Sequence, residues 1–285
     1  MPSLKDLKGR MKGIRNIQQI TRAMKMVAAA KIKKAETRVK SARPYAEKIK
    51  EVVSSLQGAQ TEETHPLLAP RVIHKAGVFL ISADKGLCGA YNSNLFRICD
   101  SIISSRRSEG KEVVFFVAGQ KGRRFYSRRG IPLSRFFELS PLPDFEEARQ
   151  ISLTLRDSFI SGEIDSLSVV FTRYVSAMTQ TAGTADLLPL VQPGADRKPA
   201  DMIFEPSAAR LLDRLLPLFV DVQVYTMLLE ARASELGARL VAMGNATDNA
   251  EKLLGELTLK FYRARQEAIT SEIIEVASGA EALRQ

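Results

Sequence analysis

The sequence predicts a protein of the α/β class, a long antiparallel coiled coil of N- and C-terminal helices with an inserted Rossmann-like α/β domain. Three observations carry this. From Leu4 to Leu56 apolar residues recur at steps of three and four, the period of an amphipathic helix. The same spacing returns from Phe219 to about Val276. Between these stretches, short apolar runs alternate with helical segments, which is how strands and crossover helices build a parallel sheet.

The first helix is read from Leu4, Leu7, Met11, Ile14, Ile17, Ile20, Met24 and Val27, then from Ile32, Val39, Ala42, Ala46, Ile49, Val53 and Leu56. It would be about 80 Å long at 1.5 Å per residue. Ser3 with Asp6 three residues later is an N-cap signature, and Pro44 reads as a kink. A helix this long cannot bury its stripe against itself and needs a partner of similar length. That partner is the C-terminal stretch through Leu229, Leu236, Met243, Ala250, Leu257 and Ile273. The two pair as an antiparallel or irregular coiled coil because the chain must return from one intervening domain. Pro217 is expected to mark a joint where a shorter helix, about Ala208 to Leu216, hands over to the long one. AGVFLIS (76–82), EVVFFVAG (112–119) and LSVVFTRYVS (167–176) read as buried strands. NLFRICDSIISSRRSEG reads as a helix ending at Gly110, and Phe145 to Ser161 as another. Residues 61–70 and 190–206 are connectors, giving an N-terminal helix over 1–60, an α/β domain over 71–205 and a C-terminal helix over 207–285.

Composition excludes several functions. With no Trp and only two His among 285 residues, there is little material for base-stacking platforms or His-based metal sites. Cys88 and Cys99 are too few for a disulfide framework, so a reducing compartment is expected. No window approaches the roughly 20 apolar residues of a membrane span, and no signal-peptide apolar run follows the first Lys residues. The chain therefore reads as soluble and unexported. Its net charge of +10 is concentrated at one end: residues 1–57 hold 15 basic and 4 acidic residues, whereas 58–206 hold 18 and 17, and 207–285 hold 9 and 11. An acidic partner would meet the first segment.

No catalytic constellation stands out. SADKGLCGAYN (82–92) is a glycine-bearing turn after the first strand, but Gly86 and Gly89 fit neither G-x-G-x-x-G nor G-x-x-x-x-G-K-[ST], so it is read as a tight strand-to-helix turn in which glycine supplies positive φ. AGQKGRRFY (118–126) likewise lacks the glycines of a phosphate cradle. His65 and His74 sit near connectors, and the adjacent pairs Glu62/Glu63 and Glu146/Glu147 cannot converge on one proton. Cys88 reads as a small buried hydrophobe. No cofactor or metal is expected. Two segments remain unusual. In ITRAMKMVAAAKIKKAETRVK (20–40) positive charge surrounds a helix thinned by Ala28, Ala29 and Ala30, with almost no Glu at i+4 to offset it. A solvated face is the ordinary explanation of such a run. The final RARQEAITSEIIEVASGAEALRQ (263–285) is too apolar for an exposed tail, and something is expected to enclose it.

These residues carry a specific resemblance. The chain resembles the gamma subunits of rotary ATP synthases through ITRAMKMVAAAK (20–31), SADKGLCGAYN (82–92), IFEPS (203–207), MLLEARASELGARLVAMGNATDNA (227–250) and RARQEAITSEIIEVASGAEAL (263–283). The resemblance implies a non-catalytic central shaft whose rotation couples proton flow through the membrane ring to ATP synthesis. Its implied partners are three alpha and three beta subunits, the epsilon subunit and the c-subunit ring, with nucleotide held by alpha and beta. It further implies that Arg22, Lys25, Lys31, Lys33 and Lys34 form a basic collar facing acidic loops of beta, with Met24 beside it. Arg265 and Gln266 match an Arg-Gln pair that hydrogen-bonds beta, with Thr270 and Glu275 further along the helix, and the apolar end would turn in a sleeve.

The α/β segment has no room for the insert or the regulatory cysteine pair of chloroplast forms, and a transit peptide is not expected. The expectation is a bacterial subunit, peripheral on the cytoplasmic face of the inner membrane. The alternative from another class, a basic coiled-coil nucleic-acid-binding protein, rests on the collar alone and lacks interleaved aromatics or a recognisable module.

Overall fold

The computed structural model describes residues 3–58, 65–190 and 208–282. In chain order these form α1 (Leu4–Gly58), β1 (Lys75–Ile81), α2 (Tyr91–Ser108), β2 (Glu112–Ala118), α3 (Gln120–Arg128), β3 (Arg135–Phe137), α4 (Phe145–Ile160), β4 (Ser166–Tyr174), β5 (Gln180–Leu188) and α5 (Ala208–Ala282). They fall into two compact units, residues 1–27 with 240–285 and residues 28–239, so α1 and α5 each run through both. The expected connector 190–206 lies, from residue 191 on, outside the described residues.

In the unit of residues 28–239 the strand order is β3-β2-β1-β4-β5, with β1 parallel to both β2 and β4 and β2 parallel to β3. The expected parallel sheet needs one correction, because β5 runs antiparallel to β4. β3, three residues long, and β5 were not expected as strands. The stretch QTAGTADLL is largely polar and small, so β5 carries little apolar signal; it is an edge strand held by pairing with β4. The central strands read as continuous apolar runs because both faces are covered. Phe79, Ile81, Phe116 and Val169 pack towards α4 and the sheet-facing sides of α1 and α5. Val78, Leu80, Phe115 and Val117 pack towards α2 and Tyr126 of α3.

The joint expected at Pro217 is absent, and α5 runs unbroken from Ala208 through Pro217. A helix-interior proline costs about 3 kcal/mol. Leu212, Leu216 and Val220 on either side of it are buried in the sheet core, each contributing about 1.5–3 kcal/mol, and together they outweigh that cost. α1 likewise continues through Pro44, which is exposed. Its start is the expected capping box, with Ser3 Oγ accepting from the Asp6 amide at 3.2 Å and Asp6 Oδ2 accepting from the Ser3 amide at 3.2 Å.

In the unit of residues 1–27 and 240–285 the inward seam differs from the expected stripe. Ile17, Ile20 and Val27 are 54%, 59% and 55% exposed. The seam instead follows a strict seven-residue repeat through Leu4, Leu7, Met11, Ile14, Gln18 and Thr21, which steps past the neighbouring isoleucines. Thr21 is tolerated inside because its hydroxyl lies 2.9 Å from that of Thr247, which also bonds the Met243 carbonyl at 2.7 Å. Lys25 lies against Gly244, where a Cβ would come within 3.7 Å of its side chain. Advancing from Thr21 to Lys25 on α1 thus means retreating from Thr247 to Gly244 on α5, so the helices are antiparallel here.

Candidate functional site

The residues singled out from the sequence lie on the surfaces of the two long helices. In the unit of residues 1–27 and 240–285, Arg22 and Lys25 are exposed and Met24 is half-buried. In the unit of residues 28–239, Lys31, Lys33 and Lys34 are exposed, while Ala28, Ile32 and Ala35 turn inward. At about 100° per residue these cations wind round every side of α1 except the buried seam. Among the described residues none of the five has a carboxylate within 4.0 Å, and the first ion pair along α1 is Lys40 with Glu36 at 2.9 Å. A run of cations without internal counter-charge favours an anionic surface brought from outside.

The C-terminal group occupies an overhang. Thr21 faces Thr247, and stepping 17 residues back along α1 to Leu4 corresponds to stepping 17 forward along α5 to Ala264. Beyond Ala264, α1 offers no further turn to pair with, and every described residue from Arg265 to Gly279 is exposed. Arg265, Gln266, Thr270 and Glu275 all lie on this stretch. Gln266 and Thr270 share one side, and the Thr270 hydroxyl donates to the Gln266 carbonyl at 2.8 Å, leaving only its lone pairs for a partner. Glu275 falls on the opposite side from Gln266. Glu272, two turns after Arg265, is the acid that shares its side and was not singled out from the sequence. Ile269, Ile273 and Val276, spaced i, i+4, i+7, form an exposed apolar stripe on the same overhang. The unequal helix lengths, 55 and 75 residues, carry the signal for the overhang, but only the register locates it.

The segment SADKGLCGAYN is a structural hub. Ser82 Oγ donates to the Ala118 carbonyl at 2.9 Å and accepts from the Gly122 amide at 2.9 Å. Asp84 accepts from the Gln120 amide at 3.0 Å, capping α3, and Asn92 accepts from the Ala83 amide at 3.1 Å. Gly89 supplies the expected positive φ, at 57°, and Leu87 is a second left-handed residue of the turn at 62°. Open sheets of this type bind ligands beyond the carboxyl ends of their strands, at the point where strand order reverses, here between β1 and β4. That crevice is filled by α5. The Tyr91 hydroxyl donates to the Ala231 carbonyl at 3.0 Å and the Ser234 hydroxyl to the Thr172 carbonyl at 3.1 Å. The cavity left between Ser82, Tyr91, Arg232 and Glu235 is about 10 Å³. A small-molecule site needs roughly 300 Å³ or more.

The remaining chemistry-bearing groups serve structure. His65 Nδ1 accepts from the Leu67 amide at 3.1 Å, and Glu147 accepts from the Ser140 amide at 2.8 Å. Glu62 and Glu63 lie outside the described residues. No group of three or more His, Cys, Asp or Glu able to hold a metal is found among the described residues, and no described helix is long and apolar enough to cross a membrane. Burial raises the Cys88 thiol above its ordinary value and pushes that of Cys99 up to about 12. Both thiols are buried, which keeps them protonated and away from solvent. Iodoacetamide at pH 8 is expected to leave both unmodified in the folded chain and to label both in urea, measured by intact mass. Native labelling at the rate of a free thiol would overturn this.

The chain matches the family model described as ATP synthase over residues 3–283. The ATP synthase gamma chain of Moorella thermoacetica is 44% identical over 285 residues, spanning 100% of both chains. That of Desulfitobacterium hafniense is 44% identical over 284 residues, covering 99% of this chain and 100% of the relative. Among solved structures, a chain of the central stalk and c-ring of the Tetrahymena thermophila mitochondrial ATP synthase aligns with a TM-score of 0.62 at 26% identity, over 80% of this chain and 99% of that one. A chain of the Euglena gracilis mitochondrial OSCP/F1/c-ring assembly shares the fold, with a TM-score of 0.72 at 18% identity over 98% of this chain and 94% of that one.

Proposed function

As the chain belongs to the family of ATP synthase gamma chains, we propose that its long helices act as the rotor shaft and that the residues on their exposed surfaces are its contacts with the catalytic head. The chain is the non-catalytic central stalk, with alpha, beta and epsilon subunits and the c-ring as its partners. In this reading residues 1–60 and 207–285 are the shaft and residues 71–205 the foot. The assembly would stand on the cytoplasmic face of a bacterial inner membrane, with this chain peripheral to it. The nucleic-acid alternative has no support among the relatives.

One observation carries the assignment of contacts. The overhang of α5 past α1 is a single helix with an apolar stripe and a few polar groups, none of which has a partner element among the described residues. A lone helix of that kind is stable only when enclosed, because helical stability comes mainly from packing of an amphipathic face. Apolar contacts are nondirectional and permit slip. Arg265 and Gln266 offer directional bonds that form only at some angles. An asymmetric shaft in the bore of three equivalent sites presents each with a different surface, so the sites differ in nucleotide affinity and exchange states as it turns. The collar of Arg22, Lys25, Lys31, Lys33 and Lys34, with Met24, would meet acidic loops of beta by the same logic.

Two changes to the overhang separate seating from switching. Deleting about the last eight residues removes small and apolar side chains and is expected to cost at most a few kcal/mol of assembly at about 25 cal/mol per Å². Hydrolysis and pumping should persist. Arg265→Ala with Gln266→Ala should lower turnover severalfold, because a charge-assisted bond made at some rotor angles bears on the switching step. The measurement is ATP hydrolysis and proton pumping by assembled complexes. Loss of both activities on deletion, with both intact in the double alanine variant, would reverse the roles.

A further inference from the structure

We infer that Glu235, gripped between Arg232 and Arg239, is the positioning residue that locks α5 against rotation in the α/β domain, so that torque passes through directional charged bonds as well as apolar packing. This rests on the rotor reading above and concerns how the shaft is held within the unit of residues 28–239. Glu235 is 3% exposed. One of its carboxylate oxygens lies 2.5 Å from Arg232 Nη1 and the other 2.6 Å from Arg239 Nη2. Each guanidinium then reaches a different loop of the domain. Arg232 Nε donates to the Pro141 carbonyl at 2.7 Å, in the segment before α4. Arg239 donates to the Lys85 carbonyl at 3.2 Å and the Gly86 carbonyl at 3.2 Å, in the loop after β1.

The geometry is that of a fork with two tines. Residues 232, 235 and 239 stand at i, i+3 and i+7 on one face of α5, and the two loops they grip come from different strands of the sheet. Apolar packing alone resists separation but allows a smooth helix to turn by one ridge. Two charge-assisted bonds from one face of the helix to fixed carbonyls of two separate loops resist turning, since rotation about the axis carries both guanidinium groups away from their carbonyls. Close approach on another side completes the socket. A Cβ on Gly237 would lie 2.9 Å from the Ala177 carbonyl, in the turn between β4 and β5, and 2.8 Å from Nε2 of Gln180 at the start of β5. The carboxylate is what holds both guanidinium groups in place. Without it two cations face each other in a buried site, and each leaves its carbonyl for water.

The test is Glu235→Gln in the assembled, membrane-embedded complex, which keeps the shape and removes the charge. ATP hydrolysis is expected to stay within twofold, while protons pumped per ATP fall at least threefold because the shaft slips in its socket. The control is Arg156→Met with Asp221→Leu. That pair is buried in the same unit, at 3.2 Å, but joins α4 to α5 without gripping a loop. It should leave the pumping ratio unchanged whatever it does to the melting temperature. An unchanged ratio in Glu235→Gln, or an equal fall in the control, overturns the proposal. Should Glu235→Gln fail to assemble, Arg239→Ala, which releases one tine, must give an intermediate ratio, and a normal ratio there is equally fatal. Failure of the unaltered chain to assemble with alpha and beta would instead refute the rotor reading.

Discussion

Gly119→Ala is expected to destabilise the full-length chain by about 4 kcal/mol or more, among the largest effects of a single methyl group. Gly119 follows β2 with φ 92° and ψ 140°, a conformation essentially restricted to glycine. A Cβ there would lie 2.2 Å from the Ser82 carbonyl oxygen and 2.8 Å from its carbon, both backbone atoms at the end of β1. Neither can retreat, because the Ser82 amide donates to the Ala118 carbonyl at 2.9 Å. Gly110→Ala is the comparison. Its φ is also positive, at 74°, but nothing lies within 4 Å of the added carbon. It should cost only the left-handed strain, about 1–2 kcal/mol. Urea denaturation of both variants, followed by tyrosine fluorescence, measures the difference. Equal losses would mean that the close approach of β1 and β2 is not what requires glycine.

Reversing Arg22, Lys25, Lys31, Lys33 and Lys34 together to Glu is expected to lower coupled ATP synthesis at least tenfold in assembled complexes. Five reversals of two charges each take the segment 1–57 from a net of +11 to +1 and replace attraction by repulsion wherever the collar meets an acidic loop. Single reversals should stay within about twofold, since exposed ion pairs typically contribute about 0–1 kcal/mol. The defect should shrink as ionic strength rises, because exposed charges are screened beyond about 8–10 Å at physiological salt. ATP synthesis in vesicles at low and high salt reads this directly. Normal synthesis by the fivefold variant would reduce the collar to a solvated face.

Much of this protein is legible along the chain. The three-and-four spacing of apolar residues announces both long helices, and the uniform apolar runs announce β1, β2 and β4, because these are relations between near neighbours. The concentration of positive charge in α1 is likewise a count, independent of folding. Ile17 and Ile20 are apolar at helical spacing, yet the strict heptad passes through Gln18 and Thr21, and the Thr21 hydroxyl meets that of Thr247 on the facing helix. Pro217 looked like a joint because local propensity opposes it, and buried leucines on both sides overrode that preference. β5 carried almost no strand signal because its stability lies in its pairing with β4.

The sequence by itself determined the kind of molecule: two amphipathic helices of unequal length around an alternating α/β segment, basic at one end and without an encoded phosphate cradle. Tertiary structure alone decided where α1 runs out beside α5, and hence that Arg265, Gln266, Thr270 and Glu275 stand on a stretch of helix without a partner among the described residues. It also decided that Arg232, Glu235 and Arg239, charges at helical spacing, are largely buried and bonded to two loops of the domain. The reason is physical. Periodicity, charge and propensity are fixed by residues a few positions apart, whereas register, burial of charge and the approach of one backbone to another arise between residues separated by up to about 226 positions, as for Thr21 and Thr247, and exist only once the chain has packed.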